Sequence, residues 1–389
     1  MLRRTAIFLG SFLPLAASLT LPPAPQDRVG DLVESVKAGT LTLPYEPKQG
    51  YLRALLKELR IDPASQVLVF SKGSLQADHI GPKNPRAIYF NADTYVGWIP
   101  GAPMIEIASI HPKRGVVFYT IPNGKEAKAT FETSPSACDR CHGAIGPDLF
   151  ATSAPTSESG YPRAFARSFR ATPDLPFNQR WAGWYVTGTH GAMRHLGNEL
   201  SVGDDEKNRI DVEKGANVTD LKRYFDVSGY LTPHSDIAAL MVFEQQMHVQ
   251  NVLTRTVQQT ASDESYLDEA CEELVEALLC VGEAKLTAPL KGTSAFPASY
   301  AAGLPKDSKG RSLGDLDLKS RVLKYPCSPL IYSASFDALP AKAKEGVYKR
   351  LKEILTGKDT SGTYAHLTAT DRQALLQILK ETKSGFKIP

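Results

Sequence analysis

The chain has 389 residues, enough for two or three domains of roughly 100 to 200 residues each. Its 45 basic and 42 acidic residues leave a formal charge of +3 and are spread along the sequence, so no basic stripe argues for nucleic acid and no acidic tail for a basic partner. The composition is that of an ordinary soluble globular protein.

At the N-terminus, Arg3 and Arg4 precede an apolar run from Ala6 to Ala17, and Ala16, Ala17 and Ser18 offer the small residues of a cleavage site. Residues 1–18 therefore read as a secretory signal peptide. A membrane anchor would need roughly 20 apolar residues, whereas this run is shorter and is broken by Pro14. The expectation is a periplasmic protein, soluble or peripherally membrane-associated, with no integral span after cleavage.

Residues 19–61 read as a Pro-rich linker followed by short amphipathic helices over 31–37 and 49–60. The period then changes. The runs 66–71, 87–91, 94–99, 104–110 and 115–121 are short, rich in Val, Ile, Tyr and Phe, and separated by Gly, Pro, Asn and Lys, which predicts an antiparallel β unit over 62–135. From Gly143 to Gln179 the chain is rich in Pro, Ser, Ala and Gly without a clear period, as in a long loop wrapped over a cofactor. Residues 180–198, RWAGWYVTGTHGAMRHLGN, are dense in aromatic and ligand-capable side chains. Residues 201–389 read as mainly α-helical, with patterns over 218–224, 236–259 (N-capped by Ser235), 264–281, 341–356 and 369–382, the last capped by Thr370 or Asp371. The fold class is α+β: an N-terminal antiparallel β unit, a central loop region over 136–200, and a mainly helical C-terminal half.

Within "SACDRCHGAIGPDLF" stand Cys138, Cys141 and His142 in the spacing C-x-x-C-H. Two thiols at this spacing add across the two vinyl groups of a haem, and the adjoining imidazole reaches the iron. A disulfide between Cys138 and Cys141 is one alternative. Half of a zinc site is another, but the remaining cysteines form no second C-x-x-C. On these three residues the sequence resembles the c-type cytochromes. The resemblance implies one covalent haem c, with Cys138 and Cys141 as thioether anchors and His142 as proximal iron ligand. It does not extend to the small class I cytochrome c fold, in which a helix carries the motif near the N-terminus and a Met loop follows. "NPRAIYFNADTYVGWIPG" and "WYVTGTHGAMRHLGN" are similar to stretches of a larger family of exported bacterial haem proteins.

The sixth iron ligand decides between an electron carrier and an open, reactive iron. Candidates are His190, Met193, His195, Met241, Met247 and His248. His195 or His190 is favoured, because Gly188, Gly191 and Gly197 let the backbone approach a flat macrocycle, while Met241 and Met247 fall in an apolar helical pattern and read as core. Arg194 beside His195 also suggests a peroxidase-like pair acting on peroxide, and Trp181, Trp184 and Tyr185 read as packing for the haem edge. Cys271 and Cys280 lie about 13.5 Å apart along one predicted helix, too far to pair with each other; in an oxidising compartment either would clasp that helix to Cys327. The reading favoured is electron transfer with a redox partner protein or a small oxidant or reductant. A peroxidase-like haem enzyme and a haem-based sensing or binding module are the alternatives.

Overall fold

The computed structural model describes residues 27–387 except 126–127, 134–135, 144–147, 165 and 204–208. The expected signal peptide, residues 1–18, lies outside the described residues. Asp27 opens helix α1 (Arg28–Lys37), its carboxylate accepting from the Val29 and Gly30 amides. Helix α2 (Leu52–Glu58) follows.

The five β-rich runs form strands β1 (Val67–Val69), β2 (Arg86–Phe90), β3 (Thr94–Trp98), β4 (Met104–His111) and β5 (Gly115–Pro122), each antiparallel to the next. A short β6 (Glu132–Thr133) extends one edge. Beyond it lie helix α3 (Ser136–His142), which carries the C-x-x-C-H residues, and a small pair made by β7 (Thr152–Ser153) and β8 (Phe169–Arg170). The other edge is closed by β9 (Trp184–Tyr185), giving a seven-stranded sheet ordered β6-β5-β4-β3-β2-β1-β9. The edge strand β9 thus comes from the aromatic-rich segment, outside the predicted 62–135 unit.

Both faces of the sheet are covered, which is why β3 and β5 are buried along nearly their whole length instead of alternating with solvent. One face, with Tyr89, Val96, Trp98, Ile105, Ile107, Val117 and Ile121, packs on Val29, Leu32, Leu52, Leu55 and Leu59 from α1, α2 and the residue after α2. The opposite face, with Phe90, Tyr95, Ile110, Val116 and Phe118, meets helix α4 (Ile237–Ser262) through Ile237, Leu240, Phe243 and Met247. At 26 residues, α4 is about 39 Å long. Its second half packs into a core formed with α5 (Leu267–Leu278), α8 (Ala341–Leu355) and α9 (Ala369–Thr382); α6 (Phe296–Ala302) and α7 (Ala334–Asp337) lie between α5 and α8 in the chain. One helix therefore joins the sheet to the helical half.

Several local expectations change. Residues 218–224 are irregular instead of helical, with a turn over 222–224 and Leu221 buried against the sheet core. Asp236, not Ser235, caps α4, and its carboxylate also accepts from the Thr293 and Ser294 amides. Ser235 instead stitches β1 to β9, its hydroxyl donating to the Tyr185 carbonyl and accepting from the Leu68 amide. The α9 cap is Thr368 in a reciprocal box with Asp371. None of the five cysteines is joined in a disulfide, so the expected clasp to Cys327 is not formed. Helix α5 ends at Leu278, Cys280 lies beyond it with φ 58°, and the Cys271 thiol donates to the Ala343 carbonyl of α8. Burial pushes the Cys271 thiol up to about 11 and the Cys327 thiol up to about 12, which leaves both inert at neutral pH. Among the described residues no helix is long and apolar enough to cross a membrane.

Candidate haem site

Helix α3 lies over the α4-facing side of the sheet, and between them is a cavity of about 590 Å³, within the roughly 300 to 1,000 Å³ of ligand pockets. Cys138, Cys141 and His142 line one side. The sheet contributes Ile88, Tyr95, Ala108 and Phe118, the segment after the motif Leu149 and Phe150, and α4 Phe243 and Met247. Leu75 and Phe150, 42% and 37% exposed, stand where this lining reaches solvent. A flat apolar macrocycle needs such walls with one edge near the surface.

The chemistry of His142 is set by its neighbours. Its Nδ1 lies 2.7 Å from the Asp148 carbonyl oxygen; a carbonyl only accepts, so Nδ1 carries the proton and Nε2 keeps a free lone pair. Phe118 and Phe150 flank the ring at centroid distances of 4.7 and 4.9 Å. Burial, opposed by the hydrogen bond to Asp148, holds its pKa below the ordinary 6.5, so the imidazole is neutral at neutral pH. A metal-binding His typically shows this arrangement, with one ring N–H held by a backbone carbonyl. The loop is held in turn by Asn251 of α4, which accepts from the Leu149 amide at 2.9 Å and donates to the Leu149 carbonyl at 2.7 Å.

These residues fit a covalent haem: two thiols one helical turn apart and outside any disulfide, an imidazole with an available Nε2, and an aromatic, mostly apolar cavity beside them. They do not fit zinc, since among the described residues no three His, Cys, Asp or Glu side chains are grouped to hold a metal ion.

Of the six sixth-ligand candidates, Met247 alone lines this cavity. His190 and His195 instead form a buried aromatic cluster with Phe177 and Trp181. Both nitrogens of His190 are committed, Nδ1–H to the Met193 carbonyl at 2.8 Å and Nε2 to the Asn217 amide at 3.0 Å. His195 Nδ1 accepts from the Gly197 amide at 3.0 Å, so the neutral ring carries its proton on Nε2 and offers no lone pair there. Arg194 turns away to a two-point ion pair with Glu213, and the expected peroxidase-like pair does not assemble. The Met241 sulfur lies 4.0 Å from the Arg180 guanidinium. That guanidinium forms a fully buried ion pair with Glu244, which also accepts from the Trp181 indole at 2.8 Å. Trp184 donates to the Thr152 carbonyl and closes the sheet edge.

Several residues of the site carry no motif: Asp148 and Asn251 hold the histidine loop, and Phe118 and Phe150 clamp its ring. Their sequence signal is slight, an Asn in an apolar helix and an Asp six residues beyond His142. Compared with known proteins, the chain matches no family model, no curated protein and no solved structure.

Proposed function

We propose that the protein is an exported single-haem c-type cytochrome acting in electron transfer, in which Cys138 and Cys141 would hold the haem by thioether bonds and His142 and Met247 would supply the side chains that bind its iron. Haem, when bound, contributes one-electron redox chemistry. The observation that carries the reading is the His142 ring, protonated on Nδ1 by its bond to Asp148 and free at Nε2 on the wall of the cavity that the two thiols share.

The chain's own residues have separable tasks. Cys138 and Cys141 tether, His142 ligates, and Asp148 and Asn251 hold the ligand loop in register with α4. Phe118, Phe150, Phe243 and Leu149 exclude water, which favours the less charged state of an enclosed redox centre. Leu75 and Phe150 offer an apolar approach for a redox partner. Export rests on residues 1–18 of the sequence.

The test is the full-length chain produced with a haem-attachment system. An intact mass increased by one haem, and a pyridine spectrum typical of two thioether bonds, support the proposal; an unmodified chain overturns it. Carbon monoxide separates the roles: low-spin iron indifferent to the gas supports electron transfer, and high-spin iron that binds it replaces that role with catalysis or sensing.

A further inference from the structure

A second cavity, of about 440 Å³, is lined by residues of the turn after α2, the β2–β3 connection, α4 and α6, and its size is that of a small-molecule pocket. It shares no lining residue with the candidate haem cavity. Phe90, Phe296 and Tyr300 give it an aromatic wall, Phe296 stacked on Tyr300 at a centroid distance of 5.4 Å. The inner side backs onto the candidate haem cavity: Phe90 packs on Phe243 at 5.2 Å, and Gln246 holds the Tyr95 hydroxyl at 2.8 Å.

Two polar groups of this lining have no partner among the described residues. Gln246 of α4 is 3% exposed. Its Nε2 donates to the Asn91 carbonyl and to the Tyr95 hydroxyl, and its Oε1 makes no hydrogen bond among the described residues. An acceptor so placed on an aromatic wall can receive an O–H or N–H from an occupant. The second group is the exposed Arg60 guanidinium at the rim, which has no ion pair or hydrogen bond among the described residues. The other charged groups there are engaged. Arg28 lies 3.5 Å from Asp93, which also accepts from the Thr94 hydroxyl at 2.9 Å, and Asp62 accepts from the Ala64 amide at 2.8 Å.

The backbone at Arg60 is a further sign. Helix α2 ends in a Schellman arrangement, the Arg60 amide donating to the Lys57 carbonyl at 3.1 Å and the Ile61 amide to the Leu56 carbonyl at 2.8 Å. Arg60 occupies its left-handed position, φ 55°, which favours glycine. The chain thus carries a cationic side chain where the backbone alone would favour none. The Asn91 side-chain amide, donating to the Leu59 carbonyl at 3.0 Å, ties this turn to the rim.

We infer that this cavity binds a small aromatic carboxylic acid with a hydroxyl at its far end. The ring lies against Phe90, Phe296 and Tyr300, the hydroxyl donates to Gln246 Oε1, and the carboxylate meets Arg60 at the rim. Arginine suits a carboxylate because its donors lie in one plane and it stays charged wherever the acid is ionised.

Calorimetric titration of the full-length holo-protein with 4-hydroxybenzoate is expected to show one saturable site. Arg60→Gly removes the guanidinium and relaxes the turn, so this variant should be at least as stable as the wild type yet bind 4-hydroxybenzoate about tenfold or more weakly. Phenol, which lacks the carboxylate, should bind both alike, and benzoate, which lacks the hydroxyl, should bind the wild type more weakly than 4-hydroxybenzoate does. Ser299→Trp, on the partly exposed side of α6, fills the cavity and should abolish binding. The absence of saturable binding, affinities unchanged in both variants, or tighter binding of the cationic 4-hydroxybenzylamine overturns the inference. Intact mass of the same preparation reports separately on the haem: a chain without it strikes the haem reading and leaves the titration to decide this one.

Discussion

His142 Nδ1 and the Asp148 carbonyl oxygen, 2.7 Å apart, decide which nitrogen of the imidazole holds the proton. That contact leaves Nε2 as the ring's lone pair at the cavity wall, and a backbone acceptor cannot be lost by mutating a side chain. Replacing His142 by Ala, with Cys138 and Cys141 intact, is expected to give a chain that still carries covalent haem but has lost one axial ligand. Its absorption spectrum should move to a high-spin type and return when imidazole is added. A His142→Ala spectrum identical to the wild type would remove His142 from the iron.

Asn251 ties the ligand loop to α4 by two bonds with one residue, accepting from the Leu149 amide and donating to its carbonyl. Asn251→Asp keeps the acceptor and loses the donor, leaving the buried Leu149 carbonyl unmatched next to a buried carboxylate. The expected loss is about 1–3 kcal/mol for the orphaned group, and Asn251→Ala, which orphans both groups, should lose more. Urea unfolding at neutral pH measures both; variants as stable as the wild type would show that the pair does not hold the loop.

Met247 differs from the other candidate ligands because it alone reaches the cavity. Met247→Leu conserves volume and should cost less than about 1.5 kcal/mol. It removes the sulfur, so the holo-protein should gain carbon monoxide binding that the wild type lacks. Unchanged spectra with and without the gas in Met247→Leu would exclude Met247 as ligand.

The sheet and the main helices were legible because their signals are local: β-rich runs punctuated by turn residues, and a 3.6-residue period in the C-terminal half. Strand β9 was not, since a two-residue strand is held by distant partners in the chain, such as Leu68 for Tyr185. Cys138, Cys141 and His142 stand out in the sequence by their spacing, and helix α3 brings all three to one wall of the cavity. His190 and His195 do not line that cavity, and the reason is physical: the glycines around them shape a buried cluster in which backbone groups take three of the four ring nitrogens. Met247 looked like core and is core, packed in the same cluster as Phe243, and its place at a cavity depends on how α4 meets the sheet. Arg86 and Glu106 face the interior from strands whose other residues are mostly apolar, and only the register over Gly97 shows that they meet.

The Gly97 position gives a separable prediction about packing. In Gly97→Ala the new methyl group would lie within 2.3–2.7 Å of the Arg86 guanidinium, so the arginine must swing away and its ion pair with Glu106 breaks. The guanidinium is the far end of a flexible side chain and can yield, so the cost is that of leaving the Glu106 carboxylate without its partner, roughly 1–3 kcal/mol. Combining Gly97→Ala with Arg86→Ala should add little to that loss, because both changes break the same pair. Additive losses in the double variant, measured by urea unfolding, would show that the two positions do not interact.

His195 supplies the pH dependence. Burial, with the His190 and Arg194 charges added, pushes its pKa from 6.5 down to about 3, and burial also lowers His142 and His190. The folded chain therefore refuses a proton that the unfolded chain accepts near pH 6.5, so the unfolded state binds more protons between these values. Stability is full above about pH 6.5 and is lost as pH falls towards 3, by at most about 5 kcal/mol for His195 alone. His195→Asn keeps an acceptor for the Gly197 amide but has no titrating group. Urea unfolding at pH 8, 6.5, 5 and 4 should show the wild type losing stability more steeply than His195→Asn. Parallel profiles would mean that His195 takes up its proton without unfolding, and that its burial is looser than the ring cluster around Phe177 and Trp181 implies.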